Sequence, residues 1–307
     1  MQKISIKNNI KAIISCLLWA TAFVGIKIGL KYSKPISFAG IRFMFSGILL
    51  MLFVKSHKEY FLEIKKNIKL ILLLSLVQTF FAYFLFYKGI SMVDGALAAI
   101  IIGSSPLISA IAAHYFMESD KMSFVKVFSL LIGIIGITII AVSRKPWGKT
   151  GLVELWGVIL LILTTISGSI GNIIVARNRD KVKPLIFSSA QLFIGGLWLF
   201  MVSFPLEGIP KIIYHKEYYF AVIWLAILSA VAISVWYSLL NNHEIKVSEL
   251  NLWKFIIPVF GAIFSWIILP DEHPKFYPIV GMFFVGLSIV MYNYFGLKEK
   301  IDLSAKQ

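Results

Sequence analysis

About ten stretches of roughly 20 mostly apolar residues follow one another along the chain with little between them, and this pattern restricts the fold more than any motif does. They run over 10–31, 35–54, 68–88, 93–116, 124–142, 152–176, 184–205, 217–242, 247–269 and 275–295. Each can cross about 30 Å of hydrocarbon as a helix. The runs are continuously apolar and do not alternate, which excludes the strands of a membrane barrel. With 59% hydrophobic and 15% charged residues, a water-soluble domain could not hide so much apolar surface. The expected fold class is therefore all-α: a polytopic membrane protein of about ten transmembrane helices.

No soluble domain is expected between the spans. The longest polar interval, Lys55 to Lys69, is too short to bury a core of its own. The first segment exceeds the h-region of a cleavable signal and no small-residue cleavage pattern follows it, so it should stay as a helix. Cys16, the single cysteine, lies inside that segment and reports nothing about the redox compartment. A formal charge of +15 would point to nucleic acid in a soluble protein, but here it orients the chain in the bilayer and no nucleic acid partner is expected. Counted from an inner N-terminus, the inner loops carry roughly twice the Lys and Arg of the outer ones, which places both termini in the cytoplasm and the chain in the cytoplasmic membrane. The loop with Arg144, Lys145 and Lys149 runs against that trend.

The chain also repeats itself. Lys34-Pro35-Ile36-Ser37-Phe38 reappears as Lys183-Pro184-Leu185-Ile186-Phe187, and at the same offset of 149 positions Arg42 answers Gln191, Gly47 answers Gly196 and Leu50 answers Leu199. Further on, Ser105-Pro106-Leu107 resembles Ile257-Pro258-Val259 and Gly136-Ile137-Thr138 resembles Gly286-Leu287-Ser288 at slightly longer offsets. The expected units are 1–148 and 149–307, five helices each. An odd number per copy inverts the second against the first, with a substrate site near the midplane where they meet, the usual build of a secondary transporter.

These residues carry a family resemblance. Leu18-Trp19-Ala20, then Lys34-Pro35 and Phe38-Ala39-Gly40-Ile41-Arg42-Phe43, resemble the opening of an EamA-type member of the drug/metabolite transporter superfamily. Phe255-Ile256-Ile257-Pro258-Val259-Phe260-Gly261-Ala262 is similar to that family's proline-centred stretch. The resemblance covers essentially the whole chain and departs in two places: Gly168 stands where the second copy often has tryptophan, and Pro270-Asp271-Glu272 alters an acidic turn. It implies a ten-helix carrier without a bound cofactor, commonly an exporter of small metabolites or drugs.

Candidate site residues are the polar groups that are costly in lipid. Arg42 lies about 10 Å beyond the start of its helix, too deep to snorkel easily, and an ionised side chain there costs at least ~2.5–3.5 kcal/mol unless it meets a wet cavity or a partner. Lys254 lies four residues before Pro258, whose missing N–H leaves the carbonyl of residue 254 unpaired at the level of the ammonium group. If both face a cavity, they favour an anionic or carboxylate-bearing solute, such as an amino acid. Pro106 takes the matching place in the first copy, beside Gly103, Ser104 and Ser105. Both prolines mark helix breaks; the serines and glycines suit helix packing as well as binding. Trp19, Tyr83, Trp236 and Trp253 stand where cavity walls are expected, and Gln78, Asn172, Gln191 and Asn251 can hydrogen-bond a ligand or a neighbouring helix.

Energy coupling is sparsely provided for. Asp94, His114 and Glu249 are the candidate proton carriers, so exchange or facilitated movement competes with proton antiport. No Gly-x-x-x-x-Gly-Lys loop, His-Glu-x-x-His pair or Gly-x-Ser-x-Gly elbow occurs, which argues against ATP use and against an intramembrane enzyme, and no metal ligands are expected. A channel or facilitator is the rival reading, and the sequence is compatible with a homodimer. The expected partners are a small-molecule substrate and the lipid bilayer.

Overall fold

The computed structural model describes residues 6–93, 101–118, 120–142, 151–210, 213–268 and 276–305. Among them every regular element is helical. Helices α1 (Ile6–Gly29) and α2 (Pro35–Leu52) are followed by a short surface helix, α3 (His57–Lys66). Next come α4 (Ile68–Leu74), a π-helical turn (Ser75–Phe81) and α5 (Ala82–Ile90), which together form one span. Then follow α6 (Ser105–Phe116), α7 (Phe124–Val142), α8 (Leu152–Arg177), α9 (Pro184–Glu207) and α10 (Lys216–Leu240). The next segment begins as α11 (Val247–Leu252), tightens into a 3-10 turn (Trp253–Phe255) and restarts as α12 (Ile256–Ile268), before the final helix, α13 (Phe276–Ala305). Six of these helices are long and apolar enough to cross a membrane, and Ile101–Phe116, Phe124–Ile139 and Ile279–Tyr292 are shorter apolar helices. Asp94, the loop with Arg144, Lys145 and Lys149, and Pro270-Asp271-Glu272 lie outside the described residues.

Local sequence explains the boundaries. Pro35 and Pro184 open α2 and α9, where a missing N–H costs nothing and the fixed φ suits the first turn. Lys34 and Lys183 before them are extended, as the residue preceding a proline prefers. Glu207, at the end of α9, accepts the first-turn amides of Ile36 and Ser37 at 2.8 Å each, so the end of α9 caps the start of α2.

α2 and α9 pack face to face through small residues. A β-carbon on Gly47 would come within 2.6 Å of Phe193, and one on Gly196 within 2.7 Å of the Met44 amide. The Ser189 hydroxyl donates to the Gly47 carbonyl at 2.7 Å across the seam. Such contacts stand in for the hydrophobic drive that lipid does not supply between helices. α7 and α13 make a second seam, where the Ser288 hydroxyl donates to the Ser129 carbonyl at 2.6 Å. Elsewhere α1 lies against α10 and α12, while α8 lies against α5 and α6.

Candidate functional site

A cavity of about 620 Å³ lies within the bundle. Trp19, Arg42, Tyr83, Lys254 and Pro258 line it, together with Trp236, Gln78, Asn172 and Gln191, so most of the sequence candidates come together there. Its margin includes Lys27 and Leu30 at the end of α1, Pro35 at the start of α2 and Ser91 just after α5. Trp253 does not reach the wall; it packs against the main hydrophobic cluster, because the 3-10 turn advances each residue by about 120° instead of 100°. Pro106 is itself outside the lining, although Gly103 and Ser105 beside it contribute.

The helix breaks fall just before the prolines. Pro258 sits in the first turn of α12 and Pro106 in the first turn of α6, the positions where proline is tolerated. The preceding residues absorb the interruption. Lys254 is the centre of the 3-10 turn, and its ammonium lies 5.0 Å from the Trp236 ring centroid and 5.9 Å from that of Trp19. Those two indoles are themselves 5.0 Å apart and tilted, so they form an aromatic corner for a cation. Upstream of α6, the Ser104 hydroxyl donates to the Ile101 carbonyl at 2.7 Å, which satisfies an acceptor at the break.

Arg42 sits on a second aromatic cluster. Its guanidinium carbon is 4.2 Å from the Phe43 ring, 5.5 Å from Tyr83 and 5.9 Å from Tyr87. The side chain is 2% exposed, yet its Nε has no hydrogen-bond partner. Among the described residues neither Arg42 nor Lys254 forms an ion pair. Two cations set over ring faces, with no ion-pair partner among the described residues, leave their charge available to an anion.

A relay of amides runs along the same cavity, with Tyr237, Gln78 and Asn172 in its lining. The Tyr237 hydroxyl donates to Gln78 Oε1 at 2.5 Å, and Gln78 Nε2 donates to Asn172 Oδ1 at 3.1 Å. Asn172 Nδ2 donates to Asn251 Oδ1 at 2.9 Å, and Asn251 Nδ2 ends the chain on the Val247 carbonyl at 2.8 Å. α10, the π turn, α8 and α11 are thereby joined at one level. Gln78 and Thr79 lie in that π turn, the kind of wide turn that collects at functional sites. It is compensated from outside, since the Ser167 hydroxyl donates to the Val77 carbonyl and the Thr79 hydroxyl to Gln191 Oε1 at 2.6 Å. Gln191, the positional counterpart of Arg42, lines the same cavity.

Beyond the relay, polar contacts join segments distant in sequence. Asp120, 1% exposed, accepts the Ser248 amide at 2.7 Å and the Ser248 hydroxyl at 2.5 Å, and Tyr292 donates to that hydroxyl at 2.9 Å. Arg179 donates to the Leu240 and Ile245 carbonyls at 2.7 and 2.8 Å, holding the turn before α11. Glu249 is buried in α11 and His114 accepts the Met122 amide through Nδ1 at 3.0 Å; neither lines the cavity. Tyr87, Tyr237, Asp120 and Ser248 are the participants that sequence reasoning passed over. Among the described residues no group of three or more His, Cys, Asp or Glu could hold a metal.

Gly168 also lines the cavity, and a β-carbon built there would meet nothing within 4 Å. It stands 149 positions after Trp19, and the cavity has an indole at one of these positions and space at the other. Gly168→Trp is expected to abolish solute counterflow with little change in Tm, because the indole would fill the cavity without displacing backbone. Counterflow equal to the parent protein's would show that the transported solute does not use this space.

A helical membrane protein with a largely apolar, cation-bearing cavity between broken helices is the class this geometry defines. The profile of the EamA-like transporter family matches residues 7–142 and again 155–294, and the chain belongs to that family. Relatives include the uncharacterized transporter YoaV of Bacillus subtilis, 21% identical over 83% of this chain and 86% of its own. The uncharacterized inner membrane transporter YedA of Escherichia coli is 26% identical over 80% and 78% of the two chains. The WAT1-related chloroplastic protein At3g02690 of Arabidopsis thaliana is 26% identical over 90% of this chain and 67% of its own. A protein of known crystal structure shares the fold with a TM-score of 0.75 at 13% identity, covering 93% of this chain and 96% of that one.

Proposed function

We propose that this chain is a secondary transporter of ten spans, built as two inverted five-helix repeats over 1–148 and 149–307, that exports small organic solutes across the cytoplasmic membrane by alternating access. Its preferred solutes are amino acids or related carboxylates, and both termini face the cytoplasm. The observation that carries this reading is the meeting of Arg42 and Lys254 in one cavity, neither of them ion-paired among the described residues. The packing supports the repeat: α2 meets α9 and α7 meets α13, while the contacts of α1 with α10 and α12 match those of α8 with α5 and α6. On the orientation given by the lysines, the cavity margin at Lys27, Pro35 and Ser91 faces outward and the Asp120–Ser248 contacts seal the cytoplasmic end. A sealed end beneath a central site favours a carrier over a channel.

The test is counterflow in proteoliposomes with a panel of labelled amino acids, other carboxylates and neutral analogues, with and without a pH gradient. Saturable, protein-dependent exchange of a carboxylate, with the neutral analogue at least tenfold slower, is expected. Equal exchange of acid and neutral analogue would remove the anion preference, and flux without saturation would favour a channel.

A further inference from the structure

The short helix between the second and third apolar runs has two differently equipped sides. The Tyr60 hydroxyl shares a 3.0 Å hydrogen bond with Ser189, and Ile64 packs against the main hydrophobic cluster, so this side docks α3 onto the bundle. Both acidic residues of α3 are taken up by one partner: Lys183 Nζ is 2.8 Å from Glu59 Oε1 and 2.8 Å from Glu63 Oε1. The Lys183 ammonium accordingly holds the Glu59 carboxyl below its ordinary range.

The other side carries Lys58, Phe61, Leu62, Lys65 and Lys66, spaced three and four apart and therefore on one face. Lys69, in the first turn of α4, continues it. Phe61 and Leu62 are 59% and 58% exposed. None of the four lysines forms an ion pair among the described residues. The chain to either side also exposes apolar side chains, Leu52 and Phe53 before the helix and, to a lesser degree, Ile68, Leu72 and Leu73 after it. Lysines bordering two exposed apolar side chains, at the edge of an apolar band, is the composition of a helix lying in the membrane interface.

We propose that this outer face of α3 docks on the headgroups of anionic phospholipids, with Phe61 and Leu62 set among the acyl chains and Lys58, Lys65, Lys66 and Lys69 on the phosphates. Charge complementarity argues for this occupant: the face presents cations alone, because its only acids are matched by Lys183. The bilayer is already adjacent, so docking requires no second macromolecule. A face of this kind would also fix the height of α2 and α4 in the membrane.

The full chain, in detergent with equimolar phosphatidylglycerol and phosphatidylcholine, is analysed by native mass spectrometry. The parent protein should retain phosphatidylglycerol in preference, and the combined variant Lys58→Gln, Lys65→Gln, Lys66→Gln, Lys69→Gln should lose at least tenfold of that preference. A control that removes the same charge from Lys7, Lys31, Lys181 and Lys216 should keep it; equal loss in both variants, or loss in neither, overturns the proposal. In vesicles, Phe61→Trp reports on the same face by quenching with brominated lipids. Quenching should be stronger with brominated phosphatidylglycerol than with brominated phosphatidylcholine. Equal quenching overturns the headgroup preference, and no quenching, as when a second copy or an acidic protein covers α3, overturns lipid docking altogether.

Discussion

Lys254→Met is expected to lower carboxylate counterflow by at least about 100-fold while the protein stays folded. Methionine keeps the length of the lysine stem, so the contacts with Trp19 and Trp236 that place this residue on the cavity wall are largely retained. What is lost is the charge. Truncating one member of a desolvated ion pair costs ~2–5 kcal/mol, and ~3 kcal/mol corresponds to roughly 100-fold in affinity. The ammonium has no carboxylate of its own among the described residues, so its removal leaves no orphaned acid behind and stability should not fall. Lys254→Arg separates charge from shape: partial recovery of flux would show that a cation at this height is what the solute needs. Full flux through Lys254→Met, with Arg42→Met inactive, would assign anion recognition to Arg42 alone and leave Lys254 as a structural cation on the aromatic corner.

How much of this site was readable in advance follows from what an apolar sequence makes conspicuous. A charge within a run of twenty apolar residues stands out, and Arg42 and Lys254 both line the cavity. Pro258 was equally visible, but its effect was displaced: the chain tightens at Trp253–Phe255 and the proline opens the next helix. Trp253, at the start of that turn, packs half-buried against the main hydrophobic cluster and does not line the cavity, a placement that no spacing rule for a regular helix can foresee. Tyr87 and Tyr237 were hidden by abundance, being two tyrosines among 12 with nothing in their neighbours to distinguish them. The π turn left no mark either, since Ser75 to Phe81 would extend an ordinary helix if Ser167 and Gln191 did not supply partners from elsewhere. Long-range pairing is the general blind spot. Asp120 and Ser248 are 128 positions apart, and only the fold brings them together.

That pairing carries the second large effect: Asp120→Ala is expected to speed maleimide labelling of Cys16 about 30-fold. Cys16 is the only cysteine in the chain, so labelling has no background, and it is fully buried. It shares the main hydrophobic cluster with Leu240, Ile245, Val247 and Leu250, the residues that surround the turn before α11. If label reaches the thiol from the cytoplasmic end, this turn and the start of α11 have to move away. Asp120 opposes the movement with two bonds to Ser248, and removing a carboxylate that caps backbone amides costs up to ~2 kcal/mol. If that cost falls on the sealed state, the open population rises by roughly 30-fold, since each 1.36 kcal/mol is about a factor of ten. Asp120→Asn keeps an acceptor for the Ser248 amide and should fall between the two. The amide relay reaches the same helix through Asn251 and Val247, so a solute engaging Gln78 or Asn172 would act on the seal from the cavity side. Labelling of Asp120→Ala should accordingly lose its response to added solute, whereas the parent protein should retain one; an unchanged labelling rate in Asp120→Ala would place the seal at Arg179 and its carbonyl contacts instead.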